Sequence, residues 1–280
     1  MLARVQSYLL QGIDALPCEV EVDLDEALLS ANGAEKRSMV VGLPDAAVKE
    51  SIERVRSALT NSGYAFPGGR LLINLAPADV RKEGPVYDLP IAIGLLISQG
   101  VIGSGAQARP GKGRTALNAR ASLMAAAKTA AQREDSPRIE GLDDALGLTP
   151  PPREPEPLDP RQYLFAGELA LDGRIRPVKG VIALATLAKS VGARGVIVPA
   201  DNAPEAAVVG GVEAIGVRTL SEVVGVLAGQ IEPNVCAPVD VAGLLLAASA
   251  PVDFSEVRGQ EAVKRAIVIA AAGSHNLLGL

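Results

Sequence analysis

The stretch Met39-Val-Val-Gly-Leu-Pro-Asp-Ala-Ala-Val-Lys-Glu-Ser51 decides the fold class. An apolar run stops at Gly42, and Pro44 and Asp45 open a periodic segment. Val48, Ile52, Val55 and Leu59 recur at i, i+4, i+7 and i+11, the spacing that places side chains on one face of a helix. Gly63, after Asn61-Ser62, ends the helix, because glycine enters the left-handed conformation of a helix terminus without a Cβ clash. The stretch reads as a strand at 39–41, a tight turn and an amphipathic helix over 45–62.

Working outward, Val20, Val22 and Leu24 alternate with Glu19, Glu21, Asp23 and Asp25, the period of a half-buried strand. Gly68-Gly69 leads into a strand at 70–75, and Pro90 stands at the start of an apolar helix running to Ile97. Further on, Leu171-Asp-Gly-Arg174 is an Asp-Gly hairpin turn. After it the pattern predicts helix 179–191, strand 195–198, helix 204–209, strand 212–217 and helix 220–227. Helix and strand in alternation argue an α/β layered domain. Residues 104–161 differ in kind. Six basic residues and no acidic one lie between Ser104 and Arg133, then eight acidic and two basic between Glu134 and Asp159. Segregated charge among Gly and Pro predicts an inserted flexible segment, with 116–132 rich in helix formers. Pro233, Pro238 and Pro251 punctuate an expected linker over 231–253, and a new element starts at Phe254.

The chain has 280 residues and is 48% apolar, enough for a sizeable core. Its net charge of −5 is not the footprint of a general nucleic-acid binder. With no Trp, three Phe and four Tyr, a base-stacking platform is not expected. Cys18 and Cys236 fit neither a redox pair nor a zinc ribbon and suit a reducing cytosol. The single histidine, His275, excludes multi-histidine metal sites. Ser7, Gln11 and Asp14 interrupt any N-terminal leader, and the apolar run 241–250 is too short to span a membrane.

The opening stretch, together with Asn74-Leu-Ala-Pro-Ala-Asp79, Lys82-Glu-Gly84, Asp88-Leu-Pro-Ile-Ala92 and Gly167-Glu-Leu-Ala-Leu-Asp-Gly-Arg174, resembles the N-terminal domain of the magnesium-chelatase-like AAA+ ATPases of the YifB/ComM kind. The resemblance covers nearly all of 1–103 and 162–280. It implies a Lon-protease-domain-like α/β fold over 1–103 and 162–230, an insertion at 104–161, a linker at 231–253, and a truncated AAA+ (magnesium-chelatase-like) P-loop module over 254–280. For the full-length family it implies a cytoplasmic, ring-forming (hexameric) ATPase that uses ATP and Mg. It further implies ATP-driven DNA branch migration during competence and recombination.

The same resemblance orders the candidate sites. Lys82-Glu-Gly-Pro-Val86 lines up with the nucleophile loop of Lon, so that Val86 stands where a serine would be. Ile182, in Pro177-Val-Lys-Gly-Val-Ile182, stands where the Lon lysine would be. A peptidase dyad needs a hydroxyl or thiol beside a base, so no catalytic residue is expected, and Lys179 reads as a surface residue. Val257, Arg258, Gly259 and Gln260 match the segment that lies near adenine in the family, and His275-Asn-Leu-Leu278 the strand that feeds its Walker loop. No Walker sequence follows before Leu280, and hydrolysis of ATP by this chain alone is not expected. Gly111-Lys112-Gly113 lacks the hydroxyl of a P-loop and reads as a basic loop. Arg109, Lys112, Arg114, Arg120, Lys128 and Arg133 form a basic arm whose contact with DNA, if it makes one, is to phosphates; the folded domain or the motor are the alternatives. Glu19/Glu21 and Asp23/Asp25 read as a solvated strand face, with no metal site expected. Asp79, Lys82, Glu83 and Asp88 cluster in a loop, as functional groups or as caps that pair with one another. Two other classes stay open: a stand-alone interaction or scaffold domain, and a divergent Lon-like hydrolase.

Overall fold

The computed structural model describes residues 1–25, 38–103, 155–247 and 253–278. They fall into two compact units, 1–239 and 240–280. The first is built on a seven-stranded sheet, ordered β3-β4-β2-β1-β5-β8-β9. Its strands are β1 (Leu2–Gln11), β2 (Asp14–Asp25), β3 (Ser38–Val41), β4 (Arg70–Ala76), β5 (Tyr163–Phe165), β8 (Gly195–Pro199) and β9 (Glu213–Val217). A separate hairpin joins β6 (Glu168–Leu169) to β7 (Ile175–Arg176) across the Asp-Gly turn, where Gly173 has φ +85°. Pairing is antiparallel for β1–β2 and β2–β4 and parallel for β3–β4, β1–β5, β5–β8 and β8–β9. The protein is therefore an α/β fold with a mostly parallel sheet.

Strand β1 carries no clear period-two pattern, and its burial explains why. Val5, Ser7, Tyr8 and Leu9 are all buried, so both faces of its central part are covered. Helices α1 (Ala46–Asn61), α2 (Asp88–Ser98) and α5 (Leu220–Leu227) supply side chains to a large core with Val20, Val22, Leu71, Ile73, Phe165 and Ile215. Helices α3 (Val181–Ser190) and α4 (Ala203–Ala207) pack with Tyr8, Leu164, Val196, Val198 and Ala214 in a second core. Alternate residues of β5, β8 and β9 thus enter the two cores, as period-two side chains must. Along β2 the alternation is the expected one: Val20, Val22 and Leu24 are buried, and Glu19, Glu21, Asp23 and Asp25 are not. Those acids meet polar neighbours. Gln6 donates to Glu19 at 2.7 Å, and Arg4 and Asn74 donate to Glu21 at 3.2 and 2.9 Å.

Residues 231–239 extend along the sheet edge. The N–H of Gly216 donates to Asn234 O at 3.1 Å and that of Cys236 to Ala214 O at 2.8 Å. The second unit contains α6 (Val241–Ala247) and α7 (Glu261–Ala272). No residue of α7 is buried.

Candidate functional site

A groove of about 750 Å³ opens in the first unit, lined among others by Leu10, Asp45, Val80, Val86, Val178 and Lys179. Its walls follow from local chemistry. Asp45 is the N-cap of α1: its Oδ1 accepts the Val48 N–H at 2.8 Å, and Oδ2 accepts the Gly84 N–H at 3.1 Å. One carboxylate therefore starts the helix and anchors the loop facing it. Main-chain bonds reinforce the pair, from Lys82 N–H to Leu43 O at 3.1 Å and from Asp45 N–H to Lys82 O at 3.0 Å. The turn before α1 is tight enough to require glycine, since a Cβ on Gly42 would lie 2.1 Å from Leu75 O.

Lys82 is buried, and its ammonium donates to Pro77 O and, at 2.8 Å, to Val80 O. Burial lowers its pKa from the ordinary lysine value. The neighbouring Cys18 thiol is pushed up to about 12, chiefly by burial. Lys82 acts as a clasp inside its own loop, with its donors turned to carbonyls. Asp88, fully buried at the start of α2, accepts from Arg54 Nε at 2.7 Å and Nη2 at 3.0 Å, and from Leu169 N–H at 3.1 Å. Burial raises the Asp88 carboxyl above the usual range, against the pull of Arg54. This cluster ties α1, α2 and β6 together. Of the four loop residues singled out above, Lys82 and Asp88 are thus structural ties. Glu83 lies 3.5 Å from Arg81 at the rim.

Among the described residues lining the groove there is no serine, threonine, cysteine or histidine. The Tyr8 hydroxyl is committed to Lys179 O. Val86 lines the groove, whereas Ile182 is 47% exposed in the first turn of α3 and is not part of the lining. Lys179 is exposed, and its ammonium has no partner among the described residues. No group of three or more His, Cys, Asp or Glu among the described residues is placed to hold a metal ion. No helix of the described residues is long and apolar enough to cross a membrane.

The family described as "Subunit ChlI of Mg-chelatase" matches residues 21–117 and 145–202, more than half of the chain. "Magnesium chelatase, subunit ChlI" matches residues 253–280. The chain belongs to the magnesium-chelatase-like YifB/ComM family. Competence protein ComM of Haemophilus influenzae is 34% identical over 280 residues, which is 100% of this chain and 43% of that protein. YifB of Escherichia coli is 34% identical over 277 residues, 99% of this chain and 42% of its own length. An uncharacterized protein of Mycobacterium tuberculosis is 32% identical over 281 residues, with 99% and 42% covered. The chain thus spans less than half the length of these curated relatives.

In this YifB/ComM-family chain, Val257, Arg258, Gly259 and Gln260 form the exposed approach to α7. Gln260 sits at its N-cap with φ +58°, and Lys264 Nζ folds back to Val257 O at 2.5 Å. The segment presents backbone, the Arg258 guanidinium and the Gln260 amide. Residues 253–278 hold no glycine-rich cradle of amides that a triphosphate requires, so the described residues do not by themselves fit ATP and Mg. Arg109, Lys112, Arg114, Arg120, Lys128 and Arg133 lie outside the described residues, as do 116–132 and Gly111-Lys112-Gly113. The sequence reading overlooked Tyr8, Leu10 and Arg54. Only Arg54 left a signal, since it follows Ser51 by three residues on a helix whose apolar face is otherwise complete.

Proposed function

We propose that this chain is the non-catalytic, Lon-protease-domain-like part of a ComM-type ATP-driven DNA motor, joined at 254–280 to the start of its AAA+ module. Family membership across both matched regions is the observation that carries the reading. The groove lining supports it from the chemical side, because a peptidase needs an activated hydroxyl or thiol and Val86 offers neither. In this reading ring assembly and ATP hydrolysis reside in the motor, and branch migration of DNA during transformation is its work. Any contact of the 109–133 basic residues with DNA is to phosphates and weakens steeply with salt.

The test is a chimera in which this chain replaces the matched 280 residues of Haemophilus influenzae ComM, placed in a strain lacking that protein. Restored transformation frequency is expected, while the chain alone hydrolyses no ATP. A soluble chimera that hydrolyses ATP but leaves transformation at the level of the deletion strain would sink the reading. It would favour a separate scaffold role for this region.

A further inference from the structure

The sheet contains an interruption that the family likeness does not address. Gln11 and Asp14 flank a two-residue turn, so the odd-numbered residues of β1 exchange hydrogen bonds with β2. The even-numbered ones turn their N–H and C=O to the other edge. Gln6 meets β5 there, opposite Leu164, and that is the whole of the β1–β5 ladder. Beyond it β5 is drawn away. The Ser7 hydroxyl takes Phe165 O at 2.9 Å, Gly167 N–H donates to Val86 O at 3.1 Å, and Leu89 N–H donates to Gly167 O at 3.0 Å. The N–H and C=O of Leu10 therefore meet no partner among the described residues, in the middle of a seven-stranded sheet.

Three features converge on that open edge. Tyr8, Leu9 and Leu10 line the 750 Å³ groove, so the vacant side of β1 faces a space of the size that holds a bound ligand. Apolar side chains of Val80, Val86 and Val178 line the same space. One cation beside it lacks an acidic partner among the described residues. Asp45 holds two amides, Arg81 pairs with Glu83, and Glu168 pairs with Arg176, while the Lys179 ammonium is unpaired among the described residues.

The geometry points to a peptide-binding groove: an extended segment of another protein, bearing a carboxylate, adds along β1 beyond Gln6. Unpaired strand amides select a backbone in the extended conformation, and alternate side chains of such a peptide face the apolar lining. Lys179 selects the acid. With no serine, threonine, cysteine or histidine lining the groove among the described residues, the bound segment is held and not cut. This assignment is independent of the motor reading, because it concerns the first unit alone.

The experiment pans a displayed library of random dodecapeptides on the full 280-residue chain. Enriched peptides are then synthesised and titrated by fluorescence polarisation. Peptides combining an acidic residue with alternating apolar ones are expected. Lys179→Glu, a change at an exposed residue, should weaken them about tenfold, or about 1.4 kcal/mol. Methylating every second peptide amide should abolish binding, and exchange of the Leu10 amide should slow in the complex. Val86→Trp, checked for unchanged thermal unfolding, should block the groove. The assignment is overturned if no peptide is enriched, if N-methylated peptides bind equally well, or if Lys179→Glu leaves affinity unchanged. Enrichment of amphipathic helical peptides indifferent to these changes would overturn it as well.

Discussion

Helix α1 follows a turn in which Gly42 and Leu43 have positive φ, and helix α7 follows one in which Gln260 does. Both helices carry apolar residues at helical spacing. From there they diverge. Asp45 caps α1, six of its residues are buried, and Arg54 ties it to Asp88. No side chain caps α7, and none of its residues is buried. Apolar spacing therefore identifies a helix without telling whether its face is covered, and covering supplies most of a helix's stability.

The comparison breaks most visibly at the Arg54–Asp88 tie. Arg54→Ala leaves a fully buried carboxylate without its cation, and should lower unfolding free energy by about 3 kcal/mol or more near neutral pH. The sign with pH follows from burial. The Asp88 carboxyl already lies above the usual range, and losing Arg54 raises it further. A group raised in the folded state adds stability below its unfolded pKa, and that contribution disappears as pH rises through the folded value. The deficit should therefore be larger at about pH 8 than at about pH 5. Urea denaturation at both conditions decides. A deficit equal at both pH values would mean Arg54 works through Ala47 O and Ser51 instead, to which it also donates.

Next in size is the turn before α1. Gly42→Ala adds a Cβ against Leu75 O, at a φ of +98° that alanine resists. The expected loss is about 2–3 kcal/mol, with a lowered but still cooperative melting transition. A loss under about 1 kcal/mol would show that β4 shifts to admit the methyl group. Smaller again is the cap. Asp45→Ala removes acceptors from Val48 and Gly84 together, for about 1–2 kcal/mol. Asp45→Asn keeps one acceptor oxygen and should recover roughly half of that. Full recovery by asparagine would mean the Gly84 bond contributes nothing to stability.

These residues also mark what was legible in the sequence. Helix α1, the β2 alternation, the Asp-Gly turn and the strand–helix order after Gly195 follow from spacing and turn chemistry, which are local. Strand β1 escaped because both faces of its middle are buried, which erases alternation. The neighbours of β1 escaped as well, since its partners lie at Asp14–Asp25 and Tyr163–Phe165, and sequence distance carries no register. The resemblance drew attention to Val86, and the structure places it in the groove lining. That Val86 O diverts β5 and opens an edge at Leu10 was not legible, because a backbone carbonyl has no signature in side-chain identity.

The smallest effect is expected on α7, and it tests the comparison from its other side. Val263 and Ile267 lie four apart, so they share a helix face, and they are 51% and 37% exposed. Replacing both by serine removes apolar area that water already reaches. Serine's helix propensity is close to that of the two residues replaced. Unfolding free energy of the 280-residue chain should change by less than about 0.5 kcal/mol, against several for Arg54→Ala. Circular dichroism and denaturant titration of the double variant provide the measurement. A loss above about 1.5 kcal/mol would show that this face is covered in solution, by a second copy or by residues outside those described. The contrast between α1 and α7 would then be one of visible partners alone. Dilution separates the two cases: a loss that disappears at low protein concentration belongs to a second copy, and one that persists belongs to the chain itself.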